Sequence, residues 1–169
     1  MLALKINDIK TFMNLLLIGN VFDDFPMTET SVTTFNTFTI DGRINRDFFD
    51  TDTQEILARN KTVHSDWKET KPFCRSIIRG KLLPLHMKIV FELRPEDLSL
   101  ITGGGSEDHP DYGSEIRGFF LNIQYKNRTL LCTTGIARSS FSMDKRPEEF
   151  WDTAVLRFFR RLGIDHEPL

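Results

Sequence analysis

A group of basic side chains between positions 71 and 88 is the strongest candidate for a binding site in this sequence. Arg75 and Arg79 are four residues apart, so on a helix both guanidinium groups project from one face. There they can hold a phosphate or a carboxylate through paired hydrogen bonds, which predicts an anionic small molecule or RNA as the ligand. The candidate ligand-binding residues are Lys71, Arg75, Arg79, Lys81, His86 and Lys88.

Three consecutive glycines, Gly103 to Gly105, introduce an acidic stretch. A phosphate-binding loop of the nucleotide-binding type needs a lysine after its glycines, and none follows here, so no nucleotide cofactor is expected. Oxygen and imidazole ligands in the stretch are weak candidates for a metal site, and their spacing does not match an EF-hand. We expect no metal, and a plain connection between two elements, with a lid over the basic group as the alternative. The weak metal candidates are Asp108, His109 and Asp111.

The sequence contains none of the common catalytic motifs. Its four histidines form no HExxH pair, and no GxSxG turn occurs. Basic neighbours could lower the pKa of Cys74 and make it a nucleophile, although a buried, inert thiol is the expected alternative. Whether the protein is an enzyme stays open at this point.

The compartment follows from the cysteines and the apolar runs. The chain has two cysteines in 169 residues, without the spacing of a disulfide framework. Charged residues interrupt the first ten positions, so no signal peptide is expected, and no apolar run approaches the roughly 20 residues of a membrane span. We expect a cytoplasmic protein that does not contact a membrane. A net charge of −2 gives no overall attraction to nucleic acid.

Helical signals lie at both ends of the chain. Asn7 or Asp8 can cap a helix that runs to about Ile18, and a second helix with Pro147 in its first turn ends at Gly163. Pro72 is typical of a helix start and predicts a third helix that ends at Gly80 and would carry Arg75 and Arg79.

Strand signals fill the middle of the chain. Residues 28–40 are rich in threonine and phenylalanine, and Asp41-Gly42 predicts a tight turn before a return strand over 43–49. Phe35 does not fit the alternation of its neighbours, which indicates a bulge or a strand buried on both faces. Alternation also predicts strands over 85–93, 115–125 and 129–138.

These elements predict a single α+β domain over residues 1–169. Its core is a mostly antiparallel sheet of five or six strands, with the N- and C-terminal helices packed on one face. The other face mixes polar and apolar side chains, so we expect a partial cover, a homodimer contact or a shallow pocket there. The 15 phenylalanines favour the core and an interface.

Three stretches resemble a bacterial family of about this length that is known only as a domain of unknown function. They are TTFNTFTIDG (33–42), RGKLLPLHMKIVFEL (79–93) and FFLNIQYKNRTLLCTTGIA (119–137). The resemblance implies a bacterial cytosolic origin, and it implies no activity, cofactor or catalytic residue.

Taken together, the sequence predicts a non-catalytic cytosolic binding or interaction protein, for which a homodimer would explain the mixed sheet face. The alternative is an enzyme, or a nucleotide or nucleic-acid binder, that recognises an anionic ligand through the basic residues at 71–88.

Overall fold

A computed structural model describes residues 1–78, 82–103, 112 and 114–169. Within them seven strands form one sheet: β1 Ala3–Ile6, β2 Met27–Thr33, β3 Thr37–Asp41, β4 His86–Leu93, β5 Ile116–Lys126, β6 Thr129–Arg138 and β7 His166–Pro168. The order is β3-β2-β4-β5-β6-β1-β7, and every neighbouring pair is antiparallel. Strands β3 and β7 are therefore the two edges.

The helices are α1 Ile9–Leu17, α2 Thr51–Arg59, α3 Trp67–Ile77, α4 Ser99–Thr102 and α5 Arg146–Arg161. The Asp8 carboxylate caps α1 by accepting the Thr11 backbone N–H at 3.0 Å. Gly163 follows α5 with φ at +68°, a value that suits glycine because it has no Cβ. Both helix ends lie where the sequence predicted them.

Helices α1, α3 and α5 pack on one face of the sheet through an aromatic core. Phe12 of α1 meets Phe159 of α5 edge-on, with ring centroids 6.0 Å apart. The ring of Trp67 at the start of α3 meets Phe91 of β4, and its indole N–H donates to the Leu16 carbonyl at 2.8 Å. The α+β prediction is thus confirmed, with the terminal helices on the same face.

The predicted number of strands, five or six, is wrong because the sheet has seven. Residues 28–40, predicted as one run, form the two strands β2 and β3, and the predicted return strand over 43–49 is wrong because a short 3-10 turn occupies Arg46–Phe48. The three-residue strand β7 is too short to show an alternating pattern. Strand β7 stays in place by pairing with β1, since the Asn7 N–H donates to the Asp165 carbonyl and the Leu169 N–H to the Ala3 carbonyl, both at 3.0 Å.

The predicted turn at Asp41-Gly42 is also wrong. The hairpin reverses between Thr33 and Thr37, before β3, which places Phe35 in the turn and explains its odd alternation. Gly42 instead marks a close approach of two backbones, because a Cβ there would lie 1.7 Å from the Met27 carbonyl oxygen. A glycine is therefore required at position 42 by a tertiary contact and not by a turn.

Helix α3 begins at Trp67 instead of at Pro72, which lies inside the helix. Proline inside a helix removes one backbone hydrogen bond, and here the full burial of the Trp67 side chain outweighs that loss. The predicted end at Gly80 falls outside the described residues.

The mixed sheet face turns away from α1, α3 and α5, and its polar groups pair across strands. Lys88 Nζ lies 3.1 Å from the Glu29 carboxylate, and the Asn122 amide donates to the Thr133 hydroxyl at 3.4 Å. Val90 is 8% exposed on this face, so neighbouring side chains cover its apolar surface. None of the described helices is long and apolar enough to cross a membrane.

Candidate functional site

The described members of the basic group lie on different sides of the sheet. Lys71 is buried on the side of the helices, whereas Lys88 is on the opposite, mixed face. Arg75 and His86 are exposed, and Arg79 and Lys81 lie outside the described residues. The anion site at 71–88 therefore stays a prediction.

Lys71 has a structural role of its own. Its ammonium donates to the Asp23 carboxylate and to the Gly19 carbonyl, the latter at 2.8 Å. The side chain thereby ties α3 to the loop that follows α1. Next to it, burial raises the pKa of the Cys74 thiol to about 11, so Cys74 is protonated at neutral pH and is not the activated nucleophile that was considered.

The glycine-rich stretch enters the described structure only at its start. Gly103 ends α4 with φ at +91°, as expected for a glycine that closes a helix. The candidate metal ligands Asp108, His109 and Asp111 lie outside the described residues. Within the described part of the chain, no three His, Cys, Asp or Glu side chains are grouped so that they could hold a metal ion.

A polar cavity at the end of β4 is the candidate functional site, and we call it the β4 crevice. Its volume is about 580 Å³, and it lies between segment 60–66 and the turn 95–100. Five carboxylates and two guanidinium groups are among the groups that line it. The side chains on which its chemistry depends are those of His64, Asp66, Glu92, Arg94, Asp97 and Arg117.

On one wall of the β4 crevice, the charged side chains neutralise each other through ion pairs. Arg94 Nε donates to the Asp97 carboxylate at 2.9 Å, and Arg94 Nη1 lies 3.2 Å from Glu96. The same guanidinium donates to the backbone carbonyls of Asn60 and Lys61, at 3.3 and 3.2 Å. Arg94 therefore fixes segment 60–66 against the sheet, and this contact keeps the crevice in shape.

The opposite wall has two carboxylates, Glu92 and Asp66, whose ion-pair contacts with the described residues are long. Glu92 Oε2 lies 3.8 Å from His64 Nδ1, beyond hydrogen-bonding distance. Burial lowers the pKa of His64, and Arg43 lowers it further, against the opposing effects of Glu92 and Asp41. His64 is therefore neutral at pH 7 and brings no charge to Glu92.

Asp66 forms the other part of this wall. It stands at the N-cap position of α3, where an aspartate usually accepts a backbone N–H, but its side chain makes no capping bond. Its carboxylate lies 3.7 Å from Lys68, which is closer to Asp24, at 2.7 Å. Burial raises the pKa of Asp66, because the charged form is only partly compensated.

Backbone irregularities place these groups. Strand β2 shifts register between Met27 and Glu29, and β5 shifts between Ile116 and Gly118; bulges of this kind often re-aim side chains near functional sites. A Cβ on Gly118 would lie 2.6 Å from the Glu92 carboxylate, so glycine leaves that carboxylate its space.

Sequence reasoning missed the β4 crevice. His64 and Asp66 occupy a polar stretch without periodicity, and Glu92 reads as one polar position in an alternating strand. The pairing of Pro26 with Asp66 and of Arg43 with His64, together with the Arg94 contacts, brings this stretch beside β4. The one local signal was Asp66, a capping residue type directly before the helix.

Comparison with family models places the chain in a known group. Residues 15–167 match the family of unknown function DUF5721, so the chain belongs to that family, and the resemblance to an uncharacterised domain is confirmed. The comparisons with curated proteins and with solved structures gave no match.

Proposed function

We propose that this protein is a non-catalytic binding protein and that the β4 crevice holds a small ligand with an amino group. The observation that carries the proposal is the Glu92 carboxylate, which is 22% exposed and whose one ion-pair contact in the described part of the chain is with the neutral His64, 3.8 Å away. A half-buried carboxylate without a cation is unfavourable unless a ligand supplies the charge.

The charges around the crevice favour an amine over an anion. The carboxylates outnumber the guanidinium groups in its lining, and Arg94 is already held by two of them. An ammonium group between Glu92 and Asp66 would stabilise both charged forms, and it would reverse the rise in the pKa of Asp66. A hydrogen bond to a charged group contributes about 1.5–3 kcal/mol, so bonds to both carboxylates contribute about 3–6 kcal/mol, and a dissociation constant of about 1 mM needs about 4 kcal/mol.

The proposal is tested by calorimetric titration with putrescine, and with 1,4-butanediol as its uncharged analogue of equal length. We expect heat of binding for the diamine and none for the diol. Equal binding of both compounds, or of neither, would contradict the proposal.

Two variants locate the binding. Glu92→Gln removes the charge while keeping the shape, and we expect it to weaken putrescine binding by roughly tenfold or more. Glu29→Gln is the matched control, because Glu29 is a carboxylate on the same sheet face that already pairs with Lys88. Equal losses in the two variants would show that the diamine does not bind at Glu92.

A further inference from the structure

The outer edge of β3 has backbone groups that point away from the sheet. The Gly42 N–H donates to the Thr28 carbonyl at 2.9 Å, and in an antiparallel ladder the bonded positions alternate. Phe38 and Ile40 are therefore the positions of β3 that bond to β2. The N–H and C=O groups of the alternate positions face outward, and these are Thr37, Thr39 and Asp41.

We propose that β3 pairs with β3 of a second copy of this chain, antiparallel and about a two-fold axis at Thr39. In that register Thr39 lies opposite Thr39 of the second copy, and Thr37 lies opposite Asp41. All three outward-facing positions then fall in hydrogen-bonded pairs. A shift by two residues in either direction leaves at least one of them without a partner in the other strand, so the geometry selects this register.

Side chains and charges also suit a second copy. Residues 30–40 contain no charged residue and no proline, the two features that most often keep edge strands apart. In the proposed register the single acid of β3, Asp41, faces a threonine, so no like charges meet. On the side of the helices, Phe38 lies opposite Ile40 of the second copy, and an aromatic beside a β-branched side chain is a favourable cross-strand pair.

An exposed apolar surface continues from this edge, and we call it the Phe35 surface. It borders a hollow of about 760 Å³. Phe35 is 84% exposed and Leu82 is 83% exposed, and apolar patches of this kind mark protein contacts. A two-fold axis at Thr39 extends the apolar row of the Phe35 surface into that of the second copy. Its residues are Phe35, Phe38, Ile77, Leu82, Leu83 and Leu85.

The first experiment is sedimentation velocity on the full chain over a wide range of protein concentration. The wild-type chain is expected to sediment as a dimer. Thr39→Pro removes an outward N–H without touching the bonds to β2, and edge strands accept proline at such a position, so the variant is expected to be a monomer. Thr39→Val keeps the N–H and is expected to remain a dimer. A monomeric wild type, or a Thr39→Pro dimer of unchanged stability, would overturn the proposal.

A second experiment does not depend on how well the proline variant folds. Thr39→Cys places two thiols across the axis at a Cα separation of about 5.5 Å, within the range of a disulfide. Mild oxidation is expected to give a covalent dimer. Cys74 and Cys132 are buried and have raised pKa values, so they do not compete.

The matched control is Thr37→Cys, whose two copies would lie about 14 Å apart in this register. We expect little cross-linking from it, and equal cross-linking from both variants would refute the two-fold axis at Thr39. This proposal is independent of the β4 crevice. Thr39→Pro is expected to bind putrescine as the wild type does, so the dimer proposal and the ligand proposal can be tested separately.

Discussion

The two edges of the sheet differ in how they present their backbone to a further strand. Strand β7 is three residues long, and its pairing with β1 turns the backbone groups of His166 and Pro168 outward. Proline has no N–H, so His166 provides the only outward N–H of this strand. On β3, by contrast, Thr37, Thr39 and Asp41 each provide an outward N–H.

The difference teaches that this fold protects one edge and leaves the other open to pairing. A short strand, a proline and an ion pair such as that between Lys5 and Glu167, at 2.8 Å, are devices that discourage edge-to-edge association. Strand β3 has none of them between Thr37 and Ile40. The exposed apolar residues of the Phe35 surface lie beside the open edge, where a second copy would cover them.

The largest expected effect comes from disrupting the close contact between Gly42 and Met27, which holds the end of β3 in place. In Gly42→Ala the new methyl group would collide with the Met27 carbonyl, so the end of β3 must move. We expect a loss of about 3 kcal/mol in the free energy of unfolding, together with the loss of the dimer, measured by urea unfolding and sedimentation.

The control for this substitution is Gly135→Ala in β6. A Cβ there meets only the Phe120 Cβ, at 3.8 Å, which is an ordinary contact. We expect a change of less than about 1 kcal/mol. Similar losses in the two variants would show that the close approach at Gly42 does not hold the edge.

A charge on the open edge is expected to have the next largest effect. Phe38→Lys would remove two Phe38–Ile40 pairs from the dimer, each worth about 0.2–1 kcal/mol, and it would introduce the side chain that most often protects edge strands. We expect the dimer dissociation constant to rise by roughly tenfold, measured by sedimentation. Phe141→Lys is the control, because Phe141 is 92% exposed and follows β6, well away from β3. If the control weakens the dimer as much, the open edge is not the contact.

The stability of the fold is expected to depend on pH through His64, whose backbone forms an isolated β-bridge with Arg43 just beyond the end of β3. Burial lowers the pKa of folded His64 below its ordinary value of about 6.5, so the unfolded chain binds the proton more tightly. The free energy of unfolding should therefore fall as the pH drops from about 6.5 toward the folded pKa. Urea unfolding at about pH 7.5 and about pH 5.5 should show a steeper loss for the wild type than for His64→Gln. Equal losses would mean that His64 does not titrate in this way.

The smallest effect is expected at the protected edge. Lys5→Ala removes the Lys5–Glu167 ion pair, whose side chains are 44% and 51% exposed, and exposed pairs contribute less than about 1 kcal/mol. We expect a change of that size in urea unfolding and an unchanged dimer in sedimentation. A large change in self-association would mean that β7 is also a contact edge.

Local signals in the sequence predicted most of the elements but not the candidate sites. The Asp8 cap and the alternation over residues 86–93 depend on near neighbours, and both predictions are confirmed. The turn assigned to Asp41-Gly42 was wrong because Gly42 responds to Met27, fifteen positions earlier.

The sites depend on contacts between distant parts of the chain, which periodicity cannot reveal. His64 and Glu92 come from segments 28 positions apart, and they meet because two β-bridges and the Arg94 side chain hold segment 60–66 beside β4. Similarly, Lys71 was read as a ligand-binding residue, but a fold contact with Asp23 and Gly19 occupies its ammonium group. The open edge needs the order of all seven strands before it can be recognised.

Amide hydrogen exchange, followed residue by residue by NMR, tests the difference between the two edges most directly. The Phe38 and Ile40 amides face β2 and should be protected at every protein concentration. The Thr37, Thr39 and Asp41 amides should gain protection as the concentration rises and the dimer forms, whereas the His166 amide on β7 should exchange equally fast throughout. Exchange at Thr39 that does not depend on concentration, or protection that appears at His166 instead, would contradict the account.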